Sequence, residues 1–530
     1  MSFSFFRAVV ASSISGLIVA ASPFPGLAND RGSAELAPPP RQIASAEAAL
    51  WLDQRILEEI RRHNAIMPNL QYLSDVIGPR LTGSANLERA NRWTAERMRS
   101  YGLENVRLEP WELPIGWERG SVRARLIEPD NGRDLLMAAA GWTPGTSGTV
   151  RGPVVVLRAR TKAELAQYRG QVRGAIVLRG DPTAIAPVTD LSYGPPRIPS
   201  PATQGNPPAA AAVTDLRAFR RELADFLKAE GALAILVDAA KPHGLLITTG
   251  TWRGTDRGEP QEPLPVLFVA HEHYRMLHRL STRPGEPPAR VELAVDNRFV
   301  PGPITVFNTV GEIRGRSRPD EFVVVGAHLD SWDLATGTTD NGTGTCVVLE
   351  VARALASLAR EGQPPERTIR FVLFSGEEQG LHGSKQYVKR HQQEMPRTSA
   401  ALVHDTGTGK VYGLALQGRA AVRTVLEPEL QSLKTVHGWK GLDLANTGGT
   451  DHLSFEAAGV PGFACRQEID EYRLTHHTQS DTFDKAKPDN LTQGAQVLAI
   501  AAMRIANLPT LLPREKSTDK TIADSSPVKR

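Results

Sequence analysis

The sequence predicts an α/β fold: a doubly wound, mostly parallel sheet with a second, β-rich block inserted into it. Three observations predict it. From about residue 305 short apolar runs alternate with helical periodicity, the pattern of a parallel sheet with helices on both faces. Between about 121 and 288 the texture changes to short β-like runs broken by turns. Acidic residues and histidines recur just after the strand-like runs of the alternating part, where open α/β sheets bind ligands.

In chain order, Arg7 precedes a small, apolar run over 8–21, and small residues suited to cleavage follow at Ala21 and at Gly26-Leu27-Ala28. This is the pattern of a cleavable signal peptide, 1–28, and it implies a secreted or periplasmic protein. The run is short for a bilayer span of about 20 residues, and no later segment reads as long and apolar enough to cross. A Pro/Ala-rich linker, 29–45, follows. The first part of the main domain, 46–120, opens with a helix over 46–64, with Leu50, Ile56 and Ile60 on one face. A Gly/Pro loop over 77–84 precedes a helix over 86–101 that Gly102 stops. The inserted block, 121–288, has β-like runs at 154–157 and 175–178, a Pro/Ser/Thr-rich irregular loop over 181–215, a helix over 219–230 and a strand over 232–237. The second part of the main domain, 289–512, reads as strands at 322–326, 369–374, 400–403 and 460–465, with helices at 344–359, 383–391 and 491–506. The polar tail, 513–530, reads as disordered.

At 530 residues the chain exceeds what one hydrophobic core serves, so more than one domain is expected. The formal charge is +4 and the basic residues are scattered, with no Lys/Arg run interleaved with aromatics, so nucleic acid is not an expected partner. Two cysteines, Cys346 and Cys465, cannot frame a disulfide scaffold. A single bridge between them and two buried free thiols both stay open.

Five motifs carry the chemistry: His328-Leu329-Asp330, Thr339-Asp340-Asn341-Gly342, Gly376-Glu377-Glu378, His404-Asp405-Thr406-Gly407 and His477-Thr478-Gln479-Ser480-Asp481. A neutral imidazole at His328 can bind a metal through one nitrogen while its other N–H is held by an acceptor, for which Asp330 is placed. Asp340, in a Gly/Thr-rich turn before a helix, can bridge two cations, although alone it would equally suit an N-cap or Asx-turn. The adjacent carboxylates Glu377 and Glu378 repel each other unless cations offset them; one can ligate while the other acts as general base and acid. Asp405 emerges at a strand end, and His477 is the second imidazole candidate. This inventory fits two Zn²⁺ per chain, each with a position open for water. The Gly-rich turn 448–452 is either a plain turn or part of a pocket for a substrate terminus.

The runs Gly326 to Asp333, Asp340-Asn341-Gly342 and Ser375 to Gly380 resemble the co-catalytic zinc aminopeptidase family. The resemblance extends to 78–84 and to 405–409 and covers nearly the whole chain after the signal. It implies a zinc exopeptidase fold whose inserted block is a protease-associated lid domain. It implies one zinc held by His328 and Asp405 and another by Glu378 and His477, with Asp340 bridging and a cis peptide to Asn341. Glu377 would be the general base, and Asp330 would orient His328. Several relatives carry a Tyr just before the final His ligand, where its hydroxyl stabilises the oxyanion. Here His476 stands in that position, and either an oxyanion-donating or a merely peripheral His476 fits. The expected activity is hydrolysis of dipeptides or short peptides by metal-activated water. A single-zinc glutaminyl cyclase and an N-acyl amino acid deacylase are the alternatives. Homodimers occur in the family, and the sequence does not decide that point.

Overall fold

The structure is a computed structural model and describes residues 45–185, 210–250, 262–469 and 472–516. The expected signal peptide, the linker up to 44, residues 186–209 of the irregular loop and the tail from 517 lie outside them.

The chain enters through helices α1 (Ser45–His63), α2 (Ile66–Gln71) and α3 (Ala85–Tyr101), then strands β1 (Glu104–Leu113) and β2 (Gly116–Glu118). Ser84 caps α3 by accepting from the Leu87 N–H, and Gly102 ends it in the left-handed conformation. The second sheet follows: β3 (Val122–Glu128), β4 (Met137–Ala139), β5 (Val150–Leu157), β6 (Ile176–Arg179), β7 (Ala234–Asp238), β8 (Val266–Val269) and β9 (Arg290–Val295). Helices α4 (Lys162–Leu165), α5 (Ala210–Ala229) and α6 (His271–Ser281) lie between its strands. Its order is β3-β9-β5-β6-β7-β8-β4, and β5 to β8 run parallel. It is thus a mixed α/β layer rather than simply β-rich, its last strand lies past residue 288, and helix α5 begins inside the stretch read as irregular loop.

After β10 (Arg298–Val300), which pairs with β2, come β11 (Ile304–Ile313), β12 (Arg318–His328), α7 (Thr343–Arg360), β13 (Arg367–Phe374), α8 (His382–Arg390) and β14 (Thr398–Val403). The chain closes with β15 (Val411–Ala415), α9 (Ala420–Glu429), β16 (Gly441–Asp443), α10 (His452–Ala457), β17 (Gly462–Gln467), α11 (Tyr472–Thr475) and α12 (Pro488–Asn507). The main sheet has eight strands in the order β1-β11-β13-β12-β14-β17-β15-β16. Strands β13, β12, β14 and β17 are mutually parallel, but β1, β11 and β15 join antiparallel. The sheet is therefore mixed, parallel only at its centre. Antiparallel neighbours need no covering crossover helix, so they can extend the edges.

The central strands are buried on both faces, which is why they read as continuous apolar runs. In β12, Val323, Val325 and Ala327 face a core shared with α7 and α12, whereas Val324 joins Phe374, Tyr387 and Phe455 on the opposite face. Helix α7 with its preceding turn is long and apolar enough to cross a bilayer, contrary to the sequence reading, but it is mostly buried inside the protein; a helix apolar all round is a core helix here. Cys346 and Cys465 are both free and buried. The tail begins later than 513, because the Arg514 guanidinium donates to the carbonyls of Gly459, Met395, Pro396 and Thr398.

One buried cation ties the entry loop to the main sheet. Arg80, fully buried, donates to the carbonyls of Leu329 (2.7 Å), Thr336 (2.8 Å), Gly337 (2.6 Å) and Gly78 (3.1 Å). It fixes the loop that follows β12. Arg80→Ala leaves these carbonyls without donors, and each unsatisfied buried group costs about 1–3 kcal/mol. The expected outcome is a loss of about 3 kcal/mol or more in urea unfolding, and an unchanged midpoint would refute the clamp.

Candidate metal centre

Four of the five motifs follow the four parallel strands. His328 ends β12, Glu377 and Glu378 follow β13, Asp405 follows β14, and His477 follows β17 by way of α11. Asp340 sits in the turn between β12 and α7. Sheet adjacency therefore gathers side chains that lie up to 149 positions apart in the chain.

Asp340 is the centre of the arrangement. Its Oδ1 lies 3.3 Å from His328 Nε2, which also faces Asp405 Oδ1 at 3.1 Å. Its Oδ2 lies 3.4 Å from His477 Nε2, which faces Glu378 Oε2 at 2.9 Å. Glu377 Oε2 stands 4.0 Å from His328 Nε2. The structure thus brings His328, Asp340, Glu377, Glu378, Asp405 and His477 into one cluster.

The turn that presents Asp340 is held from several sides. Its peptide bond to Asn341 is cis, as the resemblance implied. The Asp481 carboxylate accepts from the backbone N–H groups of Thr339 (2.5 Å) and Asp340 (3.1 Å). The Asn341 amide donates to the His404 carbonyl and accepts from the Gly344 N–H, both at 2.9 Å. A Cβ at Gly344 would meet the Asn341 side chain and the His404 carbonyl oxygen at 2.3 and 2.4 Å, so only glycine fits this approach.

Asp330 is placed differently from the sequence reading. His328 Nδ1 donates to the Asp330 backbone carbonyl at 3.0 Å, and the Asp330 carboxylate is 3.6 Å away. That carboxylate instead accepts from Thr82 Oγ1 at 2.9 Å and from the Glu377 and Glu378 N–H groups, both at 3.3 Å. It fixes the turn that presents the two glutamates.

His476 stacks on His477 at 3.7 Å between ring centroids and puts Nε2 3.6 Å from Asp340 Oδ2. Desolvation, with the His477 ring beside it, pushes His476 down to about 4. His476, His477 and Asp340 have ligand atoms close enough to share one ion, as do His328, Asp340 and Glu378.

Electrostatics test whether cations fit. Burial drives Glu377 well above the carboxylate range; His328 pulls the other way, and the charges of Asp405, Asp451 and Glu378 add to the rise. Glu378 rises likewise through burial and the Asp340 charge. Burial would lower His328, but the Asp405 charge, with the neighbouring Asp330 and Asp340 carboxylates, holds it well above its ordinary value. Without cations, protons must screen the cluster. Asp340 Oδ2 and Glu378 Oε1 are buried and have no hydrogen-bond partner. Orphaned carboxylate oxygens beside two imidazoles fit divalent cations.

Two acidic groups went unassigned in the sequence. Asp481 lay inside a motif, but only its contact with the Asp340 turn reveals its part. Asp451, in the Gly-rich turn 448–452, is fully buried with neither carboxylate oxygen hydrogen-bonded. No local pattern in the sequence marks it.

The second sheet reaches this site. Thr248 N–H donates to the His477 carbonyl at 2.9 Å, Ile247 pairs with Thr478 as an antiparallel bridge, and Leu246 N–H donates to Gln479 Oε1 at 2.7 Å. Arg119 grips the Asp333 carboxylate with two nitrogens at 2.7 and 2.9 Å. Trp332 lies edge-on to both His477 (6.0 Å) and Trp142 (6.4 Å) and walls a narrow cleft with Leu334 and Asp481.

A histidine–carboxylate cluster at the carboxyl ends of the parallel strands of an α/β sheet is a donor set suited to metal-dependent hydrolysis, and the comparisons with known proteins make the chain a metallopeptidase. Residues 308–502 match the model of peptidase family M28. The chain is 30% identical to carboxypeptidase Q of Bos taurus over 455 residues, 86% of this chain and 88% of that protein. The chain belongs to peptidase family M28, and the family resemblance carried by its motifs is borne out. A peptidase M28 precursor from Shewanella amazonensis SB2B has the same fold, with TM-score 0.71, 24% identity and coverage of 89% of this chain and all of that one. BSAP, a zinc aminopeptidase from Bacillus subtilis, matches with TM-score 0.57 and 22% identity over 82% of this chain and 93% of that one.

Asp451 yields a pH test on the metal-free protein. Burial, partly offset by His328 and the nearby Ser384 hydroxyl, raises its carboxyl from 3.8 to about 7. Between these values the unfolded chain has released the proton that the folded one keeps, so stability falls as pH rises from about 4 to about 7. Asp451→Asn is expected to flatten that slope in urea unfolding with chelator present. Identical slopes in both proteins would overturn the assignment.

Proposed function

We propose that this protein is an exported dizinc exopeptidase that hydrolyses the peptide bonds of dipeptides or short peptides. One observation carries the reading: the two oxygens of Asp340 face two separate imidazole–carboxylate pairs. Two cations sharing one carboxylate need that arrangement. His328 and Asp405 would hold one zinc, His477 and Glu378 the other, and Asp340 would bridge them. The oxygen and nitrogen donors suit zinc, and the zinc aminopeptidase among the structural neighbours supports that choice of metal. When bound, the ions supply Lewis acidity that polarises a scissile carbonyl and acidifies water.

The remaining chemistry belongs to the chain. Glu377 is the carboxyl of the cluster left without a ligand role, and two cations beside it would offset its burial and keep it ionised. It would take a proton from water and deliver it to the leaving amine. Asp330 positions it through the backbone of residues 377 and 378. His476, a neutral N–H donor, would stabilise the oxyanion. The second sheet would act as a lid that restricts the cleft to chain ends, since segment 244–248 lies against the loop of His477. Export rests on the signal-like pattern of residues 1–28.

Glu377→Gln is expected to retain two zinc ions per chain by elemental analysis and to lose at least about a hundredfold in kcat; wild-type turnover with both ions bound would refute its role. Chelation is expected to abolish peptide hydrolysis and zinc to restore it. A stoichiometry of one ion would favour the single-zinc cyclase reading instead. His476→Ala is expected to lower kcat by about a hundredfold, and a change within about twofold removes it from the mechanism.

A further inference from the structure

We propose that Asp238, His271 and Glu272 of the second sheet are positioning residues for His477: they bend and hold the strap 239–248, whose far end carries the backbone of that imidazole. The inference rests on the dizinc reading above and gives the second sheet a part in holding one metal ligand.

The strap leaves β7 and reaches the main domain. Three contacts at its far end bracket His477. Thr248 N–H donates to the His477 carbonyl at 2.9 Å, Ile247 bridges Thr478, and Leu246 N–H donates to Gln479 Oε1 at 2.7 Å. His477 has a φ of 59°, a conformation that a non-glycine residue keeps only where its surroundings enforce it.

The near end is held by groups that the chemistry above leaves unused. Asp238 closes β7 and is buried with His271, the first residue of α6. His271 Nδ1 lies 3.0 Å from both Asp238 oxygens, and since a carboxylate only accepts, the ring donates. The same carboxylate accepts from the Ala240 N–H at 2.9 Å and the Thr183 N–H at 2.8 Å. Glu272, exposed in the first turn of α6, accepts from the His243 N–H at 2.8 Å and, on its other oxygen, from the Gly244 N–H at 3.1 Å. Ala240, His243 and Gly244 are left-handed, with φ of 52°, 59° and 72°. Such a backbone is unfavourable for Ala and His because Cβ crowds the carbonyl oxygen. The left-handed residues are the ones whose N–H groups meet the two carboxylates. The carboxylates therefore hold the bends, and the bends set where Leu246, Ile247 and Thr248 arrive.

The two imidazoles of the metal centre differ in how they are carried. His328 ends a central strand and is oriented by the Asp330 carbonyl. His477 lies in a loop, with the strap bonded to its backbone. A metal ligand must be held to within about 0.5 Å of its working geometry. Loosening the strap should therefore weaken the ion at His477 and Glu378 and spare the ion at His328 and Asp405. A general loss of stability has no such selectivity.

The test titrates zinc by calorimetry into chelator-stripped protein and reads amide hydrogen exchange in the metal-free state. The wild type is expected to bind two ions, and the affinity that disappears in His477→Ala marks the strap-held one. In Glu272→Ala and in His271→Ala that affinity is expected to fall about tenfold, the low end for a lost outer-shell partner, with the other unchanged within about twofold. The Leu246 and Thr248 amides are expected to exchange faster in both. His271→Asn, whose amide can still donate to Asp238, is expected to restore both readings. Glu272→Ala alters a surface side chain and carries the test if His271→Ala does not fold. Unchanged affinities, or equal weakening of both ions, overturns the proposal. A wild type that binds one ion refutes the dizinc reading instead. Exchange then decides the strap: faster exchange at residues 246–248 and 477–479, reversed in His271→Asn, supports it, and unchanged exchange sinks it.

Discussion

The concentration of buried negative charge at one end of four parallel strands governs this structure. Asp330, Asp340, Asp451 and Asp481 are all buried there, and Glu377, Glu378 and Asp405 complete the cluster. Carboxylates this close cannot all ionise without compensation. His328 answers part of the charge. Burial lowers the guanidinium of Arg80 to about 10, while Asp481, Asp330 and Asp340 all favour its charged form. The protons drawn onto Glu377, Glu378 and Asp451 answer more. Divalent cations would answer it best, since one ion serves several oxygens at once.

A site under such repulsion needs a rigid frame, and the frame is built from residues that touch no substrate. Arg80 gathers the carbonyls after β12, Asp481 holds the backbone before Asp340, and Asn341 joins the same turn to the end of β14. Asp330 ties the glutamate turn to Thr82, which also contacts Gln379. Asp340, Glu377 and Glu378 are therefore positioned through their own backbone N–H groups by carboxylates from other parts of the chain. That is how a strained, repulsive cluster keeps one geometry.

The second sheet is part of that frame rather than an independent module. Its contact with the His477 loop is made by backbone hydrogen bonds and a β-bridge, reinforced by the Arg119–Asp333 pair and by Trp142 against Trp332. His477 itself holds a positive φ of 59°, a conformation that persists in a non-glycine residue only where surroundings enforce it. Backbone hydrogen bonds thus tie the second sheet to the loop that presents His477.

How much of this was legible in the chain depends on the range of the interaction. Runs such as 322–328 and 369–374 announced buried strands, because burial on both faces leaves a local, continuous apolar signal. The five motifs were legible for the same reason: each is a short string beside such a run. The antiparallel edges of the main sheet, helices α4 and α6 of the second sheet and the docking of Arg514 were not, since pairing direction and docking leave no local periodicity. Arg80 and Asp451 read as ordinary polar residues in the sequence, and Asp481 lay in a motif without an assigned part. Their parts depend on partners such as Leu329, 249 positions from Arg80, or Thr339, 142 positions from Asp481. Composition and period determined the strands, the helices and the inventory of ligands. Only the tertiary structure decided which charges share a space, because Coulomb and hydrogen-bond energies depend on distance in space and not on separation along the chain.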